Sequence, residues 1–263
     1  MRRILYLVIM IVFSAKFAFA FDFKAADADY AGDDEILSES NFGISGEVFA
    51  SNAYVGDDGG VYYRGLIIQP CVTVSHNPSG IYASVWGSIA PGQSPTSDNG
   101  EGNNAGNEID FILGWAKDFE KVKVDASYAY YKLFPLNKWG NGDIHSFNLK
   151  FSYALTEKIT PYAKFIYDCV DGEREQNGFI YRVGSTFDLH ENLRIDISFG
   201  GHGTVFGTRE EIISSGKVSV SFPWVIESVT LAPEIAYQKR MGYEPENGGL
   251  SEDILYAGVR VQF

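Results

Sequence analysis

Apolar and polar residues alternate along most of the chain after residue 40. In the final segment the apolar positions are Leu255, Ala257, Val259, Val261 and Phe263, and the residues between them are small or polar. A period of two gives a strand one apolar face and one polar face. About 9–11 such residues cross a bilayer once as part of a β-barrel. The pattern therefore predicts strands that meet lipid on one face and water on the other.

The same alternation recurs in other segments, most clearly over residues 122–134, 143–154, 178–189 and 193–203. A soluble β-sandwich can show this period too, with fewer aromatic residues. The predicted strands are 42–55, 66–76, 80–90, 107–119, 122–134, 143–154, 159–170, 178–189, 193–203, 214–222, 228–238 and 253–263.

The connections between these twelve segments alternate between short and long. Five are short, and the six others, which include 56–65 and 91–106, are longer, polar and rich in glycine. This rhythm is typical of outer-membrane barrels, which have tight periplasmic turns and long extracellular loops. We therefore predict an all-β, transmembrane, antiparallel up-and-down β-barrel over residues 41–263, with both termini in the periplasm.

Three residues fit the strand pattern less well. Pro70 and Pro233 lie inside predicted strands, where a proline removes a hydrogen bond of the ladder. We expect a bulge or a position at the barrel rim for each. Trp86 shares the face of its strand with Tyr82, Ser84 and Ser88, so the phase of that segment is mixed.

The first forty residues differ from the rest. Arg2 and Arg3 precede the apolar run 4–13, and Ala18-Phe19-Ala20 provides a small-x-small cleavage pattern, which predicts a signal peptide over residues 1–20. Residues 21–40 hold seven acidic residues and one lysine. We expect an acidic, solvated periplasmic segment there, or alternatively a segment that folds into the barrel mouth. Export by this route predicts location in the outer membrane of a Gram-negative cell.

Charge and composition exclude several classes of protein. The net charge of −13 excludes the basic surface of a nucleic-acid-binding protein, and the 15% aromatic content suits the girdles of a membrane barrel. Cys71 and Cys169 fall on distant predicted strands, so we expect them to pack separately. His145 and Ser146 are adjacent, so their side chains point to opposite faces and cannot act together in catalysis. We predict no enzyme, no cofactor and no metal site.

Charged residues fall consistently on the polar face, which avoids a cost of a few kcal/mol each in lipid. This arrangement predicts a porin-like channel for passive diffusion of small solutes through a narrow polar lumen. The alternative is a filled, non-conducting barrel whose extracellular loops bind a partner or a surface. Acidic loop residues such as Asp57 and Asp58 either enrich cations at the mouth or are simply solvated. The candidate lumen residues are Asp110, Lys123, Asp125, Lys150, Lys164, Arg182, Asp188, Arg194, Asp196, Lys217, Glu234 and Arg260.

The chain also resembles a known family. The segment 61–65 (Val-Tyr-Tyr-Arg-Gly), Pro70, the segment 80–82 (Gly-Ile-Tyr) and Trp86 are similar to the amino-terminal region of the TorF-type porin family of proteobacterial outer-membrane proteins. The resemblance implies a porin-type barrel with no assigned substrate and no catalytic residues. It marks Arg64 as a mouth residue, which either bonds lumen carboxylates or orders the first outside loop.

The last strand resembles the carboxyl-terminal signature of bacterial outer-membrane barrels, because it closes on the aromatic residue Phe263. This resemblance implies that the barrel assembly machinery recognises the strand. The other expected partners are outer-membrane lipid and small solutes, without nucleic acid.

Overall fold

The computed structural model describes residues 41–57, 59–91, 107–133, 143–172, 177–203, 211–241 and 253–263, without the side chains of residues 211 and 212. Within these ranges no helix is long and apolar enough to cross a membrane. The predicted signal peptide and the predicted acidic segment lie outside the described residues.

The described residues form thirteen strands, and the predicted boundaries agree with them to within a few residues. The strands are β1 (Phe42–Val55), β2 (Val61–His76), β3 (Ile81–Ser88), β4 (Glu108–Phe119), β5 (Val122–Leu133), β6 (Ile144–Tyr153), β7 (Ile159–Val170), β8 (Gly178–His190), β9 (Leu193–His202), β10 (Glu211–Ser221), β11 (Trp224–Ile226), β12 (Val229–Arg240) and β13 (Ile254–Gln262).

Twelve of these strands close into an antiparallel barrel. Strands β1 to β10 pair in sequence order, β1 pairs with β13, β13 pairs with β12, and β12 pairs with β10. The predicted barrel of about twelve strands is thereby confirmed. Strand β11 lies within the predicted turn 223–227 and pairs only with β12. Three residues are too few to show a period, so the sequence pattern did not reveal this strand.

The barrel is apolar outside and polar inside. Large apolar side chains such as Phe147, Phe199 and Ile235 are exposed by 53%, 45% and 54%, whereas Ser146 and Ser198 are fully buried. A soluble sandwich would bury the large apolar residues, because their removal from water drives its folding. In this barrel the large apolar side chains face hydrocarbon instead of a protein core, and the small polar residues face inward and line the interior.

The three irregular positions have separate explanations. Pro70 falls in a gap of the β2–β3 ladder, between the pairs Cys71–Trp86 and Ile68–Ile89. Pro233 lies one residue beyond the last β10–β12 pair, Ser221–Glu234, so its missing amide falls where that ladder ends, although it stays within the β12–β13 ladder opposite Val259. The Trp86 side chain is on the inner face of β3, so the strand keeps its phase and places a large aromatic ring in the lumen.

The two cysteines are both free, as predicted. Cys71 lies on β2 and Cys169 lies on β7, and these strands are separated by four others on one side of the barrel.

Candidate functional site: a hairpin across the lumen

The turn between β1 and β2 is shorter than predicted, and the hairpin bends inward. Its turn covers residues 56–60 rather than 56–65, and the Gly56 amide donates to the Gly60 carbonyl at 2.9 Å. The β1–β2 register shifts between Ser51 and Ala53 and again between Tyr54 and Val55. Such irregularities bend and twist a strand pair. They allow the end of the hairpin to leave the barrel wall.

The tip of this hairpin reaches the opposite wall. In a ring of twelve strands, β7 and β8 are six places from β1 and β2. The Lys164 ammonium on β7 lies 2.5 Å from Asp57 Oδ2, and Arg182 Nη2 on β8 donates to the Asp57 carbonyl at 2.8 Å. The hairpin tip therefore reaches far enough into the lumen to contact side chains of the opposite wall.

A second contact holds the turn against β10 and β12. Gln238 Nε2 donates to the Gly59 carbonyl at 2.8 Å. Gly59 has a φ of +88°, and a Cβ atom there would lie 2.6 Å from both Cβ and Oγ of Ser215. Glycine is required at this position, because a side chain would strain the backbone and collide with β10.

The two sides of the hairpin differ in chemistry. On one side Ala53 and Val61 form a buried apolar cluster with Ala236, Ile254 and Tyr256 of β12 and β13. These contacts fill that part of the lumen, so any passage must run along the other side.

The other side of the hairpin is polar and aromatic. The Tyr54 hydroxyl donates to Glu108 Oε1 at 2.8 Å, and its ring packs against Tyr62 and Trp86 at centroid distances of 5.2 and 6.1 Å. Glu108 and its neighbour Asp110 on β4 are 9% and 6% exposed. This side of the lumen thus presents carboxylates and aromatic rings.

Asp57 is the main charged contact of the hairpin. Partial loss of hydration between the hairpin and the wall opposes ionisation of this carboxyl, but the charges of Lys164, Arg182 and Lys217 outweigh it and lower the pKa of Asp57 to about 2. Asp57 was predicted to lie in an outside loop, either enriching cations at the mouth or simply solvated. The expected location is wrong for this residue, because the hairpin carries it into the lumen. Enrichment of cations at the mouth stays a prediction.

The candidate lumen residues occupy inward-facing positions of the barrel. Lys150, Lys164 and Arg182 form one row across β6, β7 and β8, and Asp125 of β5 begins that row. Directly paired residues of antiparallel strands lie on the same face, so the row follows from the register. Whether these residues contact a solute stays a prediction.

Most candidate residues bind a neighbour within the wall. Asp125 accepts a hydrogen bond from Tyr82, Asp196 accepts from Tyr162 and Thr186, and Lys150 lies over the Tyr162 ring. Arg194 pairs with Asp188 at 2.6 Å, and Glu234 lies 3.8 Å from both Lys217 and Arg260. Lys123 is exposed close to the β4–β5 turn, and Asp110 lies beside the hairpin.

Several site residues were not among the candidates. Glu47 bonds Arg260 and Gln262, and Glu108 bonds Tyr54. Glu47 and Glu108 each lie on the polar face of a predicted strand, so the alternation of apolar and polar residues was sufficient to predict both as lumen residues. Arg64 was expected in the first outside loop, but it is an exposed residue of β2. The expectation that Arg64 lies in that loop is therefore wrong.

A cavity of about 500 Å³ lies at the end of the barrel that carries the short turns. Its lining includes Glu47, Cys71, Thr73, Trp86 and Thr230. Trp86 faces both this cavity and Tyr54 of the hairpin, so it marks the point at which the cavity meets the hairpin.

The fold resembles known structures, although no family model and no curated protein matches the chain. The KdgM porin has a TM-score of 0.54 at 8% identity, and its complex with disordered oligogalacturonate has 0.55 at 11%. The NanC porin has 0.52 at 13%. Each alignment covers 83% of this chain and 98% of the porin. The chain has the fold of outer-membrane porins.

Proposed function

We propose that this protein is an outer-membrane channel through which small solutes diffuse passively. The observation that carries this proposal is the closed ring of twelve strands, polar inside and apolar outside. An apolar band around a closed barrel is stable only in a membrane, and a polar interior suits hydrated solutes. The porin fold and the short turns at one end of the barrel support the same assignment.

The passage in this proposal is narrow and lies beside the hairpin. A barrel of eight strands is filled by side chains, whereas barrels of sixteen to eighteen leave wide channels. Twelve strands leave an intermediate space, and the β1–β2 hairpin takes up part of it. Solutes would pass on the side of the hairpin that faces Glu108 and Asp110, where the Tyr54–Glu108 hydrogen bond narrows the passage.

Conductance measurements test the proposal directly. The folded, purified protein in planar lipid bilayers is expected to give discrete current steps in KCl. A variant with a released hairpin, Asp57→Asn, is expected to give larger or more frequent steps. Folding of both proteins is checked by the heat-dependent shift in electrophoretic mobility that intact barrels show. Bilayers that contain both folded proteins and show no steps would overturn the channel.

A second candidate is a non-conducting barrel whose outside loops bind a partner or a surface. The observation that favours it is the hairpin itself, because its Asp57–Lys164 pair joins opposite walls across the interior. The same experiment separates the two candidates. Absence of current from both folded proteins supports the non-conducting barrel, whereas current from either supports the channel.

A further inference from the structure

Two carboxylates occupy successive inward positions of β4. Glu108 and Asp110 are two residues apart, so their Cα atoms are separated by roughly 6–7 Å along the strand. One oxygen of Glu108 accepts the hydrogen bond from Tyr54. Oδ1 of Asp110 is buried and has no hydrogen-bond partner. Ionisation of a buried carboxyl without a partner costs several kcal/mol, so this group either stays protonated or is stabilised by a positive charge beside it.

The described part of the chain provides no such charge at this wall. None of the ion pairs that the described residues form includes Glu108 or Asp110. The basic residues of the lumen row on β6 to β8 are engaged elsewhere, since Lys164 and Arg182 bind Asp57 and Lys150 lies over Tyr162. Lys132 of the adjacent strand β5 binds Asp143. A positive charge that stabilises the ionised carboxylates would therefore come from outside the chain.

Aromatic rings surround the two carboxylates. Trp86 is paired with Asp110 across the β3–β4 ladder, and Tyr131 is paired with it across the β4–β5 ladder. Tyr54 packs between Trp86 and Tyr62. Aromatic faces attract cations, and ammonium groups are commonly bound by several rings together with a carboxylate.

We propose that Glu108 and Asp110, together with Tyr54 and Trp86, form a binding site for the ammonium group of a cationic solute. The proposal rests on the proposed channel for the route by which the solute arrives. A metal ion fits these groups less well. Metal ions such as Ca²⁺ take six to eight oxygen ligands, and no cluster of three or more His, Cys, Asp or Glu residues suited to a metal occurs among the described residues.

The site has a route of access. Trp86 also lines the cavity of about 500 Å³ at the turn end, so a solute in that cavity is separated from the carboxylates by this ring. Tyr54 covers the site from the other side and belongs to the hairpin, which leaves the wall at the register shifts of the β1–β2 ladder. Displacement of the hairpin would uncover both carboxylates at once.

A binding titration tests the site without reference to conduction. The folded barrel in detergent is titrated with tetramethylammonium chloride, and binding is followed by calorimetry and by tryptophan fluorescence, with NaCl at equal ionic strength as the reference. We expect saturable binding that Asp110→Asn and Glu108→Gln each weaken at least about tenfold, because each removes a charged contact. The matched control is Asp196→Asn, an inward carboxylate with two hydrogen-bond donors, which should bind as the wild type does.

The outcomes distinguish this site from the channel. Equal binding by the wild type and Asp110→Asn, or no saturable binding, overturns the site. A parallel titration with CaCl₂ that saturates when tetramethylammonium does not would also overturn it, in favour of a metal site. Retained ammonium binding without conductance steps removes the channel and keeps the site. Conductance steps without ammonium binding remove the site and keep the channel.

Discussion

The Asp57 carboxylate binds the Lys164 ammonium although the strands that carry the two residues stand on opposite walls of the barrel. The residues are 107 positions apart in the sequence. The Asp57 side chain is 42% exposed and that of Lys164 is 29% exposed. Ion pairs with this much solvent access typically contribute only about 0.2–1 kcal/mol. The pair therefore stabilises the position of the hairpin only modestly, so a single substitution should increase the fraction of time that its tip is away from the far wall.

Loss of the Asp57 charge should widen the passage. In Asp57→Asn the carboxylate no longer attracts Lys164 and Arg182, so the hairpin tip should leave the far wall more often. We expect larger single-channel conductance, or a larger fraction of time open, in planar bilayers. The control is Asp188→Asn, which removes the exposed pair with Arg194 near the turn end. Equal conductance in all three proteins would show that Asp57 does not hold the hairpin.

A steric change at the turn should have the same effect without altering charge. In Gly59→Ala the new Cβ would lie 2.6 Å from Ser215 and on a backbone with positive φ. The turn should lose its contact with β10 and with Gln238, and the conductance should rise as in Asp57→Asn. Gly203→Ala is the control, because the nearest atoms to its Cβ would be 3.9 Å away. Wild-type behaviour of Gly59→Ala would contradict the described docking of the turn.

The pH dependence of the hairpin should follow the lowered pKa of Asp57. Because the pKa in the folded protein, about 2, is below the ordinary value of 3.8, the ion pair is intact above about pH 4 and is lost as pH falls through about 2. The difference in conductance between the wild type and Asp57→Asn should be constant from pH 7 to about pH 4 and should then shrink as pH falls toward 2. A wild-type transition centred near pH 4 would indicate that Lys164 does not stabilise the charged form.

The seam between β1 and β13 depends on a glycine beneath the final aromatic ring. The amides of Gly46 and Phe263 donate to each other's carbonyls at 2.8 and 2.9 Å, and a Cβ on Gly46 would lie 2.3 Å from the Phe263 ring. Gly46→Val should displace the ring and lower the free energy of unfolding by about 1–3 kcal/mol. Urea titration in lipid vesicles measures this change. Ala50→Val, on the same outer face of β1, should change stability little, and an equal loss in both would contradict the prediction.

A buried ion pair near the outer end of β5 should contribute to stability more than the exposed pairs. The Lys132 ammonium lies 2.8 Å from Asp143, and the two side chains are 3% and 2% exposed. Asp143→Asn leaves a buried lysine without its carboxylate and should cost about 3–5 kcal/mol. Urea unfolding is the measurement, with the exposed pair variant Asp188→Asn as the comparison. Similar losses in both variants would show that burial of the pair does not matter.

How much of the structure could be predicted from the sequence depended on how far apart in the chain the interacting residues are. Phe147, Phe151 and Phe199 could be assigned to the outer face because a strand sends alternate residues to opposite faces. Lys164 and Arg182 could be assigned to the inner face for the same reason. Neither Glu47 nor Glu108 was recognised as a lumen residue, although each lies on the polar face of its strand.

The sequence by itself determined the strands, their faces, and the alternation of turns and loops, because these depend on neighbouring residues and on the solvent that each face meets. Only the tertiary structure decided that Asp57 crosses the lumen to Lys164, that Gly59 fits against Ser215, and that Tyr54 covers Glu108. Those contacts join strands three to six places apart in the ring, and they depend on the two register shifts of the β1–β2 ladder. The alternation of apolar and polar residues predicts neither the contacts nor the register shifts, because closure of the ring and the bend of one hairpin are properties of the whole barrel.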